Sequence, residues 1–286
     1  MEENKIWYMP LKGCIIKECY PKPEQRQMGD TDVLIDPQKA DKLRDIMTDC
    51  GYECKVFGIS NHDTYFKEPF YKFEMHRCFF IDINDKWEKY YKNIKDRLIR
   101  KKDKKYEYEF TDEDFYIYLF MHGYKHFSIN GTGIRQLVDI YLYIKNHDLD
   151  FGYIEAELEK LDVAKHEKIF RSLAFKLFSE NEGIFVCQLT DEEKKYLDII
   201  LRSDVYGNID IKVQNAVEKL KAGGKHSKFR YVMKRFFGIP KVYSRKYPRL
   251  YNNILTRPLI LFVRFRNGIK RRKFILKEFQ ALRKNK

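Results

Sequence analysis

RQMGDTDVLID, residues 26–36, sets two carboxylates, Asp30 and Asp32, two positions apart between a glycine and an apolar run. The β-branched and apolar residues that follow predict a strand over 30–35. Alternate residues of a strand project to the same side, so Asp30 and Asp32 share a face. Two like charges on a buried strand are costly unless a cation answers them. A divalent metal is one such cation. The other reading of a lone D-x-D is a strand edge or a helix cap. The chain holds its own example in Asp148-Leu149-Asp150, which follows a helical pattern and puts Asp150 where it caps FGYIEAELEKL.

Working outward, IWYMPL (6–11) predicts a short strand, and Gly13 opens a helix, CIIKECY, that Pro21 and Pro23 close. On the other side Pro37 starts a helix with Ala40, Leu43, Ile46 and Met47 at helical spacing and Gly51 at its end. YECKVF, DTYFKE and YKFEMHRCFFIDI predict consecutive strands. Glu74, in KFEMH, is the candidate third carboxylate; its other reading is an ion pair on a sheet surface. Three carboxylates converging at one edge suit one or two Mg²⁺ (or Mn²⁺) ions, because hard cations take oxygen ligands. His76, two beyond Glu74, faces the same way. A glycine at a strand-to-helix turn lets backbone approach a phosphate, whose charge a helix N-terminus favours. Lys12 and Arg26 are either phosphate contacts or surface cations. The set suits phosphoryl or nucleotidyl transfer, with metal neutralising phosphates and a carboxylate taking the proton of an attacking hydroxyl.

These residues resemble the nucleotidyltransferases of the DNA polymerase β-like superfamily, and within it the bacterial group associated with surface-polysaccharide gene clusters. The resemblance lies in Leu11-Lys12-Gly13-Cys14, Tyr20-Pro21, Arg26 to Asp32, Glu74 with His76, Lys125-His126, and Gly133 to Asp139. Cys14 stands where the superfamily usually has serine or glycine. The resemblance implies a nucleoside triphosphate as substrate, a hydroxyl acceptor, and a site in which Asp30, Asp32 and Glu74 hold metal and carry the chemistry. It further implies Lys12, Gly13, Cys14, Arg26 and Gly29 on the nucleotide, and His76, Lys125, His126 and Arg135 on the acceptor. The acceptor it points to is a cell-surface glycan precursor.

The expected fold class is α+β: a mixed sheet with helices over 1–105, a helical domain over 106–222, and a basic amphipathic C-terminal region over 223–286. RLIRKKDKK (97–105) reads as a solvated joint, and Thr111 with Asp114 has capping-box spacing. Beyond it, His122 and His126 lie four apart, which fits packing or substrate contact; Arg135 and Asp139 fit either a helix salt bridge or an arginine aimed at an anion.

Net charge is +14, and it is unevenly spread. From Lys221 to Lys286 there are 21 basic residues and one acid, Glu278. The apolar series Phe262, Phe265, Ile269, Ile275, Phe279 and Leu282 runs near helical spacing through that stretch. Packing on the body, an anionic membrane surface and, less favoured, nucleic acid all fit it. Six cysteines without a CxxC pair, no secretory pattern and no apolar run of bilayer length predict a cytosolic protein, peripheral at the inner membrane face if the tail binds lipid. The alternative to an enzyme is a non-catalytic protein that keeps the nucleotide-binding shape and attaches to membrane or RNA through its tail.

Overall fold

Val33 and Ile35 face one side of their strand and Asp32 and Leu34 the other, and the sheet is organised by that alternation. The computed structural model describes residues 1–179, 188–203, 207–221, 227–270 and 272–284. Strands β1 (Tyr8–Pro10), β2 (Thr31–Ile35), β3 (Glu53–Val56), β4 (His62–Lys67) and β5 (Tyr71–His76) form a mixed five-stranded sheet in the order β1-β2-β5-β4-β3. Only β2 and β5 run parallel among these neighbours. A parallel pair needs a crossover, and helix α2 (Ala40–Asp49) with β3 and β4 supplies it. Asp36 accepts a hydrogen bond from the Gln38 N–H (3.1 Å) at the start of this segment, and Gly51, at φ +83°, ends it in a left-handed residue. Ala40, Leu43 and Met47 bury one stripe of α2 against Val33, Ile35, Tyr65 and Met75. The fold is α+β, as the alternation and helical spacing predict.

Three local expectations are corrected. Helix α1 (Gly13–Ile16) is a single turn followed by a 3-10 turn, so no long helix runs to Pro21. The charged joint contains a small hairpin, β6 (Ile99–Arg100) with β7 (Tyr108–Glu109). The last strand stops at His76, because Phe79 and Phe80 leave the sheet for an aromatic cluster; Phe79 lies 4.4 Å from the Tyr118 ring.

The chain divides into two compact units, Met1–Leu119 with Leu142–Lys165, and Phe120–Tyr141 with His166–Lys286. Helices α4 (Asp112–Asn130) and α5 (Arg135–Asn146) contribute to both, so the helical stretch is shared between them. In the first unit, α3 (Asp85–Tyr90) and α6 (Phe151–Lys160) join the sheet-bearing part. The Trp87 indole donates to the Leu161 carbonyl (3.1 Å), and Arg97 donates to Asp114 (2.6 Å) and Glu157 (3.3 Å). Thr111 accepts from the Asp114 N–H (3.1 Å), but the Asp114 carboxylate serves Arg97 and Tyr153, so half of the capping box forms. Asp150 caps α6 through Gly152 and Tyr153, as expected.

The second unit continues with α7 (Ala164–Phe178), α8 (Asp191–Arg202), α9 (Ile209–Lys221), α10 (Ser227–Phe237), α11 (Val242–Lys246), α12 (Pro248–Asn252), α13 (Leu259–Lys270) and α14 (Arg272–Lys284). Phe127 packs on Phe170 and Tyr196, and Val213 and Val217 of α9 bury Ala281 of α14. The apolar series expected as one stripe is thus split between α13 and α14. Among the described residues no helix is long and apolar enough to cross a membrane. Cys14, Cys19, Cys50, Cys54 and Cys78 are free thiols, and Cys187 lies outside the described residues.

Candidate active site

Register across β2, β5 and β4 lays out a polar patch on the sheet face away from α2. Asp32 pairs with Glu74 and Glu74 with Thr64; one step on, Leu34 pairs with His76 and His76 with His62. Residues in register share a face, so Asp32, Glu74, His76 and His62 project together. Asp30 joins them through Lys72, whose ammonium lies 3.1 Å from Asp30 Oδ2 and 2.5 Å from Glu74 Oε1. The structure therefore brings Asp30, Asp32 and Glu74 onto one patch, with a cation between two of them.

Asp32 is only 6% exposed. Its Oδ1 accepts from Lys12 Nζ (2.6 Å) and lies 2.7 Å from His76 Nε2. Its Oδ2 accepts from no other described residue. The neighbours of His76 decide where its proton lies. The Asn61 Nδ2 amide faces the Phe79 carbonyl (3.4 Å) and His76 Nδ1 (3.3 Å), while Asn61 Oδ1 accepts from Ser60 Oγ (3.1 Å). A carbonyl needs a donor, so Nδ2 points at both, and His76 Nδ1 is left as an acceptor. Nε2 then carries the hydrogen and donates to Asp32. Burial alone raises the Asp32 carboxyl; the His76 hydrogen bond and the Lys12 ammonium outweigh it and hold the group well below the usual carboxylate range. Burial, with Lys12 and His62, lowers His76 more than Asp32 raises it, which keeps the ring neutral.

Glu74 follows the same logic. Burial raises it, the Lys72 hydrogen bond and His62 lower it, and the net shift is downward. Burial lowers Lys72, and its bonds to Glu74 and Asp30 raise it further than that. Asp32 and Glu74 are thus ionised acids, answered by Lys12 and Lys72.

Lys12 reaches Asp32 from a left-handed backbone, φ +47°, a conformation that costs energy for a residue with a Cβ. Gly13 follows it, and a Cβ there would stand 2.7 Å from the Arg26 guanidinium. The glycine makes room for a second cation beside the first. Since α1 is a single turn, the positive charge here belongs to Lys12 and Arg26 rather than to a helix dipole. Cys14 Sγ is 4.0 Å from the Asp32 carbonyl, and Gly29 is exposed directly before Asp30. Lys125 and His126 lie on α4 and Arg135 begins α5, all in the second unit; His126 Nε2 lies 3.2 Å from His122 Nε2.

His62, Glu74 and His76 offer ligand atoms within 4.8 Å of one another. With its Nε2 proton on Asp32, His76 has no lone pair to spare on that atom. The donors that remain are Glu74, Asp30, Asp32 Oδ2 and His62, whose Nδ1 is buried without a hydrogen-bond partner. Mainly hard oxygens, with an ammonium already seated between two of them, fit a divalent cation of the Mg²⁺ or Mn²⁺ type. Lys72, His62 and Asn61 were not singled out in the sequence. The signal for Lys72 was its period-two spacing with Glu74 and His76; His62 and Asn61 arrive by cross-strand pairing. A cleft of about 630 Å³ is lined by Cys14, Thr31, Val33, Phe73 and Met75 among others, and Asp30, Asp32 and Glu74 do not line it.

A family model described as an uncharacterised nucleotidyltransferase matches residues 1–179. The chain belongs to that family. No curated protein and no solved structure matches it. The match to the nucleotidyltransferase family covers the whole sheet, with Lys12, Asp30, Asp32, Lys72, Glu74 and His76, and ends before the basic C-terminal helices.

Proposed function

We propose that the chain is a metal-dependent nucleotidyltransferase that moves a nucleoside monophosphate from a nucleoside triphosphate to a hydroxyl acceptor. The observation that carries this reading is Asp32: buried, ionised, fixed through Oδ1 by Lys12 and His76, and open at Oδ2 beside Asp30 and Glu74. Asp30, Asp32 and Glu74 would hold Mg²⁺ or Mn²⁺, which supplies charge neutralisation at the phosphates and a lower pKa for the attacking hydroxyl. Lys12 and Arg26 bind the triphosphate, and Gly13 and Gly29 keep that side clear for it. Glu74 takes the acceptor's proton as the new bond to the α-phosphorus forms and the bond to the β-phosphate oxygen breaks, releasing pyrophosphate. His76 keeps Asp32 turned toward the ion. The resemblance to the polysaccharide-associated group makes a glycan precursor the acceptor.

A thermal-shift screen of the four ribonucleoside triphosphates, with and without Mg²⁺, tests the reading. Stabilisation by at least one triphosphate only when Mg²⁺ is present is expected, with loss in Asp32→Asn. The second reading is a non-catalytic nucleotide-binding protein, favoured by one observation: Lys12 and Lys72 already neutralise carboxylates of the patch. Metal-independent binding, unchanged in Asp32→Asn and Asp30→Asn, would establish it instead.

A further inference from the structure

Helix α13 is turned inside out. Leu259, Phe262, Phe265 and Ile269 recur at helical spacing on one face, and that face is exposed: Phe262 by 73%, Phe265 by 71% and Ile269 by 58%. The opposite side buries Ile260 and half-buries Arg264, whose guanidinium donates to the Arg235 carbonyl (2.7 Å) in the last turn of α10. A helix in water ordinarily hides its phenyl rings and shows its guanidinium. The loop before it extends the same character, with Ile254 exposed by 77% and Leu255 by 84%. Helix α10 shows Phe229, Met233 and Phe237 to solvent as well. Contiguous exposed apolar surface of this kind marks an interaction site.

Charge selects the partner. The stretch 221–286 has 21 basic residues against Glu278 alone. That acid is buried, accepting from Arg235 (2.9 Å) and Lys212 (3.4 Å), so it cannot offset the surface. A second copy of the chain would set this positive field against itself. Ile254, Leu255, Leu259 and Ile269 have no flat face on which a nucleobase could stack. A bilayer with anionic headgroups satisfies both features, taking Phe, Leu and Ile into its acyl boundary and Lys and Arg at its phosphates. With 12 residues, α13 is about 18 Å long, well short of a hydrocarbon core of roughly 30 Å, so it lies in the interface and does not span it. We infer that the face formed by Ile254, Leu255, Leu259, Phe262, Phe265 and Ile269, flanked by Arg266 and Lys270, docks the protein on an anionic lipid surface.

Flotation of the full chain with vesicles of phosphatidylcholine alone, or mixed with phosphatidylglycerol, tests this. The protein should float with the anionic vesicles and not with the neutral ones. The double variant Phe262→Ser, Phe265→Ser should lose more than about tenfold in binding, since two rings leave the acyl boundary, with an unchanged melting curve because both side chains are exposed. In Phe262→Trp, the new fluorophore should shift to the blue on anionic vesicles. Unaltered binding of the double variant, or no spectral shift, overturns the apolar docking face. Retention of single-stranded RNA at protein concentrations that give no co-flotation overturns it in favour of nucleic acid. The readout is adsorption to lipid, so it is independent of whether nucleotide is turned over.

Discussion

Asp32 and Phe262 are opposite solutions to the placement of a side chain. Asp32 is a charge taken out of water and answered group by group, by Lys12, by His76 and, through His76, by Asn61. Phe262 is a ring left in water, on a helix that points an arginine inward. The sheet face spends favourable folding energy on a fixed arrangement of polar atoms, which is what chemistry on a phosphate requires. The C-terminal helices leave apolar surface and positive charge unspent, which is what association requires. Buried polar and exposed apolar groups are the informative exceptions to ordinary partition, and Asp32 and Phe262 are one of each.

The sharpest way to break the contrast is at Asp32. Asp32→Asn removes one ligand charge and is expected to lower nucleotide transfer by about 10²–10³-fold, because metal stabilisation of a transition state is worth several kcal/mol. Incorporation of α-labelled nucleotide measures it, and near-normal turnover would remove the sheet face from the chemistry. Next comes His76. His76→Ala frees Asp32 to rotate and should cost about 10–100-fold in turnover, with a raised requirement for Mg²⁺, as for other residues that orient a metal ligand. A Mg²⁺ titration of activity reads it; loss of fold stability with unchanged Mg²⁺ dependence would make the histidine merely structural. Core packing gives a smaller functional effect but a measurable stability loss. Leu43→Ala, on the sheet-facing stripe of α2 and across the sheet from the site, should destabilise by about 2–5 kcal/mol in urea unfolding while leaving the carboxylate patch intact.

The smallest effect separates a buried acid of the second unit, Glu193, from its exposed surface. Burial raises Glu193, but Lys176, Ser172 and the Thr190 backbone together bring it down to about 2. A carboxyl lowered from 4.5 in this way stabilises the fold fully above 4.5, and that contribution is lost as pH falls toward about 2. The melting-temperature difference between wild type and Glu193→Gln should therefore shrink over that interval. A constant difference would show that the ion pair does not set acid stability.

Part of the candidate site is legible along the chain. The two-residue period of Asp30 and Asp32, and the glycine at position 13 between a strand and a turn, point to a polar strand edge near a close backbone approach. Asp150 illustrates the discrimination: the same D-x-D spelling after a helix is a cap, and the structure shows it donated to by Gly152 and Tyr153. Lys72 was hidden because a lysine in a strand is ordinary until the strand's neighbour is known. His62 and Asn61 were hidden because they reach His76 only through the β4–β5 pairing. In the tail the apolar period was legible, but not its direction, since an amphipathic helix shows the same spacing whichever way it faces.

Sequence by itself determined the α+β class, the helix and strand periods, and the excess of positive charge from residue 221 onward. Those are properties of composition and of spacing along one chain. Tertiary structure decided which oxygen of Asp32 stays open, which nitrogen of His76 holds the proton, and which face of α13 meets solvent. Each of those depends on atoms brought close from distant positions, and no local period encodes that proximity.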